Sequence, residues 1–353
     1  MKTESKLISK KKPIFPLSDS LRAYLGRYNR IKDRGVRFED LGRYDNAVPL
    51  YDEQNKDTLW STLFYPGLEF QGISDDLLTT YAVLKSDGDM SAVADLYVDR
   101  VDLCLYGNTL PYRVRIVNSL NENFDYFYVK RVDANRVYGL ELEHILSPSR
   151  INYFIHGDTM IEEHVIGLPA EDFIDIAMPT SRFDLVRLGK EFVKFNERCF
   201  VRLLGDMHAG NFVVEIRRDF ERSHFMFRAM DFDQQSHHWR MKAYMPQFWI
   251  QNNPYVNVSL KYLTRENRVQ YQKEERALIA NRVRVSHGRF DALIEAMRGD
   301  VISSQENVKK LGAQLAKHYG EPAFARGGSM GDLVHASTQL LLVSESAAQP
   351  STG

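Results

Sequence analysis

Residues 203–214 read LLGDMHAGNFVV, and the turn MDFD follows about twenty residues later. The apolar run FVRLL predicts a short buried strand that delivers Asp206 and Asn211 to a turn. NFVVEIRR and FMFRAMDF predict a hairpin, which brings Asp231 and Asp233 back beside the same turn. Carboxylate and amide oxygens are ligands that Mg²⁺ prefers, with water and phosphates in its other positions. The alternative is a polar turn without a ligand, because Asp, Asn and Gly form turns readily.

The composition is that of a globular protein. The chain has 353 residues, 44% of them hydrophobic and 26% charged, which is enough for a sizeable core and for two lobes. No apolar run reaches the roughly 18 residues that a membrane helix needs, and no apolar segment follows the basic N-terminus as in a signal peptide. Cys104 and Cys199 form no metal or redox motif, so we expect a cytoplasmic protein. The net charge of −1 argues against a nucleic-acid partner.

Residues 99–167 show the pattern of a small sheet. DRVDLCLYGN and PYRVRIVN alternate around a turn at residues 107–110, and FDYFYVKR predicts a third strand that ends near Lys130. ANRVYGLELEHIL predicts a helix that stops at Ser147-Pro148, and INYFIHG and TMIEEHVIG predict two more strands. Five strands with one helix indicate an antiparallel sheet covered on one face. The prediction is an α+β fold.

The remaining sequence suggests further divisions. Beyond residue 167 the patterns are mostly helical, and the last residues are small and polar. The predicted organisation is a flexible arm at 1–15, an extension packed on the N-lobe at 16–98, an N-lobe at 99–167, a helical C-lobe at 168–345 that holds the loop 203–233, and a disordered tail at 346–353.

A lysine and a glutamate of the small sheet are predicted to pair. At 100° per residue, Glu141 falls on the apolar, inward face of its helix, whereas Glu143 points nearly opposite. A buried glutamate needs a partner, and Lys130 on the preceding strand is the candidate. An edge lysine whose ammonium reaches water is the plainer interpretation of Lys130.

Together these residues resemble a known family. Lys130, Glu141, GDMHAGN and MDFD are similar, in order and approximate spacing over residues 99–235, to the protein-kinase-like fold. The nearest pattern is the small-molecule branch, of the aminoglycoside phosphotransferase and choline kinase type. The resemblance implies a bilobal fold with a small antiparallel β N-lobe containing one helix and a mostly α-helical C-lobe. It also implies an ATP- and Mg²⁺-dependent transfer of the γ-phosphate to a hydroxyl.

The resemblance implies a role for each matched residue. Asp206 would orient the attacking hydroxyl and accept its proton, and Lys130 would bind the α- and β-phosphates while paired with Glu141. Asn211 and Asp231 would hold Mg²⁺, and Asp233 is either a further metal contact or a carboxylate that caps the turn. The residues implied to contact ATP besides Lys130 are Gly107, Asn108 and Thr109 in the hairpin over the phosphates, and Glu162, Glu163, His164 and Val165 beside the adenine.

Two features depart from the family pattern. Leu204 stands where the family often has a histidine that supports the loop, and the hairpin has the single glycine Gly107 in place of a glycine-rich run. His208 is expected to support the loop as a hydrogen-bond donor, and a metal ligand is the less favoured alternative. The occupied chemical positions favour an active enzyme. A binding scaffold without activity, and a transferase that moves AMP to a protein hydroxyl, remain open alternatives.

The charge of the C-terminal half bears on the acceptor. Residues 236–330 hold fifteen Lys and Arg against eight Asp and Glu, a formal charge of +7. A polycationic aminoglycoside would need carboxylates there, so we expect a neutral or anionic small molecule with a hydroxyl. No membrane partner is expected, and a protein substrate is the less favoured possibility.

Overall fold

The computed structural model describes residues 12–52, 55–105, 109–178, 183–219 and 222–346. The chain divides into two compact units. Unit 1 contains the described residues up to Asp133 together with Ile151–His164, and unit 2 contains Ala134–Arg150 and the described residues from Val165 onward. Within the described ranges, no helix is both long and apolar enough to cross a membrane.

Unit 1 is built on a seven-stranded sheet whose neighbouring strands are all antiparallel, in the order β1-β2-β3-β4-β5-β7-β6. Its elements are α1 Asp19–Arg27, β1 Asn46–Tyr51, β2 Asp57–Phe64, α2 Gly67–Ser86, β3 Leu96–Cys104, β4 Tyr112–Asn118, β5 Phe124–Arg131, β6 Tyr153–His156 and β7 Thr159–Glu163. Alternate residues of β5, such as Phe127 and Val129, are fully buried in a core that also contains Leu77 of α2. This alternation is the reason the segment forms a half-buried strand.

The N-terminal region joins this sheet instead of forming an extension on it. β1 and β2 pair with each other, and β2 pairs with β3 across the predicted boundary at residue 98. The end of the predicted flexible arm is also fixed: Lys12 forms a buried ion pair with Asp133, and the Phe15 amide donates to Asp133 Oδ1 at 3.0 Å. Residues 1–11 and most of the predicted tail, 347–353, lie outside the described residues.

Unit 2 is mostly helical. Its elements are α3 Ala134–Leu146, α4 Leu185–Val201, α5 Asn253–Tyr262, α6 Arg265–Val285, α7 His287–Gly299, α8 Gln305–Tyr319 and α9 Met330–Ser346, with strands β8 Leu168–Pro169, β9 Phe212–Asp219 and β10 Arg222–Ala229 in the order β10-β9-β8. The predicted hairpin is the β9–β10 pair. The core of unit 2 contains aromatic side chains, of which Phe192, Phe227 and Tyr255 are in mutual ring contact. The α+β class is confirmed.

Two local predictions differ from the structure. FVRLL is not a strand: α4 continues to Val201, and Leu204 makes an isolated bridge with Gln235. A short apolar run after an amphipathic helix fits either a buried strand or the last turn of that helix, and here the helix continues. The helix α3, predicted as part of the N-lobe, groups with unit 2.

Candidate functional site

The loop after α4 adopts a constrained backbone that presents Asp206. Leu203 and Asp206 have φ of +57° and +61°, a left-handed region that side-chain-bearing residues adopt infrequently. Hydrogen bonds hold this conformation, because Ser236 N donates to Leu203 O at 2.8 Å and Asp206 N donates to Ala243 O at 3.2 Å. Such left-handed residues concentrate at functional sites, where the surrounding structure supports the strain.

The loop and the MDFD turn lie side by side, as the sequence predicted, and Asn211 joins them. Its Nδ2 donates to Asp206 O at 2.8 Å, and its carbonyl accepts from Met230 N at 3.1 Å. With Nδ2 committed to the loop, Oδ1 makes no hydrogen bond to the described residues. The amide oxygen of Asn211 is therefore available as a ligand.

Arg136 of α3 organises the two aspartates of the MDFD turn. Its Nη1 donates to Asp231 Oδ1 and to Asp233 Oδ1, both at 2.9 Å, and its Nη2 donates to Met230 O at 3.2 Å. The Asp233 amide also donates to Asp231 Oδ1 at 2.9 Å. The sequence analysis missed Arg136. One signal in the sequence could have pointed to it: Arg136 is a charged residue in the first turn of a largely apolar helix. In the structure, the Arg136 residue is only 2% exposed.

The carboxylates that meet here repel one another. Burial, and then the negative charges of Asp231 and Asp233, raise the pKa of Asp206 to about 7. The Asp206 side chain makes no hydrogen bond within the described part of the chain that would oppose this shift. Asp206 therefore lies beside an excess of negative charge, of which the Arg136 guanidinium neutralises a part, and its carboxyl can exchange a proton near neutral pH.

His208 supports the loop and accepts the hydrogen bond instead of donating it. Its Nδ1 accepts from Gly210 N at 3.1 Å, and its ring contacts Trp249 edge-on with 5.9 Å between the centroids. Burial lowers the pKa of His208, while the charges of Glu171 and Asp231 oppose that shift. A neutral ring that accepts from the backbone is consistent with structural support.

The donor set suits a magnesium ion. Asn211 Oδ1 and Asp231 Oδ2 make no hydrogen bond to the described residues. Among those residues, no group of three or more His, Cys, Asp or Glu side chains could hold a metal ion. Two protein oxygens are nevertheless compatible with Mg²⁺, which commonly keeps several waters and takes further oxygens from phosphates. Asp233 directs its Oδ1 to Arg136, so its metal role stays a prediction.

The predicted ATP-contacting residues of unit 1 occupy β5, β7 and the segment after β7. Lys130 Nζ donates to Glu162 Oε2 at 2.8 Å, and both side chains are at least nine-tenths buried. His164 Nδ1 lies 3.1 Å from the Tyr128 hydroxyl, and Glu163 Oε1 accepts from a backbone amide. Thr109 is buried, and Gly107 and Asn108 lie outside the described residues. The boundary between the units falls between His164 and Val165, inside the segment predicted to face adenine.

Within unit 2, Glu141 pairs with Arg289 of α7, and the predicted pair with Lys130 of unit 1 stays a prediction. Glu141 is fully buried in unit 2 and accepts from Arg289 Nη2 at 2.6 Å and from Arg289 Nε at 3.2 Å. The predicted outward direction of Glu143 is wrong, because Glu143 is 3% exposed and forms a buried ion pair with Arg202.

Comparison with known proteins adds no relative. No protein-family model matches the chain, and no curated protein matches it significantly.

Proposed function

We propose that this protein is an ATP- and Mg²⁺-dependent phosphotransferase of the protein-kinase-like fold, acting on a hydroxyl of a small molecule. The observation that carries the proposal is the convergence of three chemical groups in unit 2. These are an Asp206 carboxyl whose pKa is about 7, the open amide oxygen of Asn211, and the Asp231 carboxylate fixed by Arg136. A base beside two hard oxygen donors is the arrangement that phosphoryl transfer requires.

In this proposal each side chain has one task. Asn211 Oδ1 and Asp231 Oδ2 would hold Mg²⁺, which neutralises phosphate charge when bound. The Asp206 carboxylate accepts the proton of the acceptor hydroxyl as its oxygen forms a bond to the γ-phosphorus. The bond from that phosphorus to the β–γ bridging oxygen breaks, and ADP leaves with the electron pair. Arg136 keeps Asp231 oriented by holding its other oxygen. Positioning and charge supply most of the rate in such reactions.

Lys130 and the acceptor belong to the proposal as well. The resemblance assigns Lys130 to the α- and β-phosphates, and its pairing with Glu162 supports a charged, fixed ammonium. The +7 charge of residues 236–330 favours a neutral or anionic acceptor over an aminoglycoside.

The test is nucleotide binding and turnover with matched variants. We expect Mg²⁺-dependent stabilisation by ATP in a thermal-shift assay, and ATP turnover that Asp206→Asn lowers by about 10²–10⁴ while ATP still binds. Asp231→Asn is expected to weaken the Mg²⁺ dependence of binding, and Asp291→Asn, at an exposed site on α7, is expected to change neither.

Three outcomes would overturn parts of the proposal. Absence of nucleotide binding refutes the family assignment, and binding without turnover by the wild type favours the scaffold. Label from the α-phosphate, and not from the γ-phosphate, on the product favours AMP transfer.

A further inference from the structure

Unit 2 contains a concave site that shares no residue with the group around Asp206. It is a cleft of about 250 Å³ between α4, the turn Pro246–Phe248, α5 and α6. This volume lies a little below the usual range of about 300–1,000 Å³ for small-molecule sites. Its apolar lining consists of Phe192, Val193, Val256, Leu260 and Val269. An apolar surface of this shape fits the hydrocarbon or aromatic part of a small ligand.

The charged residues in the described lining of the cleft are both arginines. Arg265 and Arg268 lie on the first turns of α6, and none of the lining residues described is acidic. Arg268 Nη1 donates to Leu263 O at 2.7 Å, which leaves its other N–H groups for a ligand. Arg265 is exposed and forms no ion pair with a described residue. The charge of the cleft therefore complements an anion.

A third polar group lines the cleft without a partner. The Oε1 atom of Gln247 is shielded from water, yet it accepts no hydrogen bond in the described structure. Its backbone is fixed, because Gln247 N donates to Asn196 Oδ1 at 2.7 Å and Asn196 Nδ2 donates to Phe192 O at 2.7 Å. A shielded polar atom without a partner is unfavourable, and rotation of the Gln247 side chain toward the cleft would let a ligand N–H or O–H satisfy it.

The cleft is connected to the loop of the first site by one side chain. Asn252 is fully buried, and its Nδ2 donates to Pro246 O at 2.7 Å and to Met207 O at 2.8 Å. The turn that lines the cleft is therefore bonded to the residue that follows Asp206.

We propose that this cleft is a binding site for a small organic anion with an apolar body and a hydrogen-bond donor. The carboxylate or a similar group is held by Arg265 and Arg268, the apolar body lies against α4 and α5, and the donor reaches the Gln247 carboxamide. The proposal does not depend on the phosphotransferase assignment.

Calorimetric titration of the full chain with simple anions tests the proposal. The probes are hexanoate, phenylacetate, 4-hydroxyphenylacetate and indole-3-acetate, and the neutral match is 4-hydroxyphenylacetamide. We expect one site per chain with a Kd below about 1 mM for the best anion, and at least about tenfold weaker binding of the amide. Saturation by none of the anions, or equal binding of acid and amide, would overturn the proposal.

Variants separate the cleft from general surface charge. The double variant Arg265→Gln, Arg268→Gln is expected to bind the anion about tenfold more weakly or worse. The control Lys273→Gln also removes a positive charge, on an exposed part of α6, and is expected to leave the affinity for the anion unchanged. An equal loss in Lys273→Gln would indicate only non-specific attraction and refute the site.

Gln247→Leu provides a readout that does not depend on charge. It removes the unpartnered oxygen, so the melting temperature is expected to rise while 4-hydroxyphenylacetate loses affinity and phenylacetate does not. Loss of both probes alike would refute the role of the donor. Concentration-dependent dimerisation that Leu260→Asp abolishes would assign this face to a second copy of the chain and overturn the small-molecule proposal.

Discussion

Replacing Asp206 by asparagine should stabilise the protein at alkaline pH and leave its stability unchanged in acid. The pKa of Asp206 is raised from an ordinary value of 3.8 to about 7 by burial and by Asp231 and Asp233. The folded state therefore binds the Asp206 proton more tightly than the unfolded state does. The stability from this group is fully present below about pH 4 and is lost as the pH rises through about 7.

The size of the effect follows from the pKa. A shift of about three units corresponds to about 4 kcal/mol at most, because one unit is about 1.4 kcal/mol. The side chain is partly exposed, so solvent screening reduces the expected gain to about 2–3 kcal/mol at pH 8.5. Asparagine also adopts a positive φ readily, and the Asp206 side chain makes no hydrogen bond to described residues that the change would break.

The assay is urea unfolding of wild type and variant between pH 4 and 9, in EDTA so that no divalent cation neutralises the carboxylates. In a Trp60→Phe background, the remaining tryptophans, Trp239 and Trp249, both lie in unit 2, and their fluorescence excited at 295 nm reports its unfolding. The exposed control Asp291→Asn should give a difference that does not change with pH. A pH-independent difference for Asp206→Asn, or a variant less stable than wild type at pH 8.5, would refute the electrostatic reasoning.

Three further predictions concern groups around the two sites. Arg136→Ala removes the cation that bridges two aspartates and should lower the free energy of unfolding by about 3–5 kcal/mol in urea titrations; a loss below about 1 kcal/mol would contradict the bridge. Gly139→Ala places a methyl group 2.8 Å from a phenylalanine Cβ and should lower the melting temperature, whereas Gly72→Ala, with open space around it, should raise it; the same sign for both would be inconsistent with the packing. Under the proposed function, Glu162→Gln should raise the KM for ATP severalfold because it weakens the fixation of the lysine, whereas the exposed control Asp291→Asn should leave that KM unchanged; an unchanged KM in Glu162→Gln would contradict this role of the pair.

The sequence predicted secondary structure well where one physical pattern dominated. Phe124–Arg131 alternates aromatic and β-branched residues, and Ala134–Leu146 carries a helical apolar stripe that ends before Pro148; both elements lie at the predicted positions. The predicted strand at FVRLL failed because a five-residue apolar run has no periodicity that separates a strand from a helix end.

The partners of buried charges were less predictable. Periodicity places Glu141 on a buried face, but it does not say which cation reaches that face, and Arg289 lies 148 residues away in the sequence. Lys130 likewise pairs with Glu162 on the adjacent strand β7, a pairing that depends on sheet order and register. The Asp206 loop was predictable because its residues are close in sequence and one hairpin returns the chain to it.

Asn252 offers a direct route by which the protonation of Asp206 and the occupancy of the cleft can affect each other. Its single carboxamide donates both to the carbonyl next to Asp206 and to the turn of the cleft, within a fully buried environment. By thermodynamic linkage, any factor by which a bound anion changes the proton affinity of Asp206 must equal the factor by which protonation of Asp206 changes the affinity of that anion. Between about pH 6 and 8, where the probe carboxylates stay ionised, a pH dependence of anion binding that Asp206→Asn abolishes would report the state of Asp206 without any assay of catalysis, and Asn252→Ala should diminish that dependence.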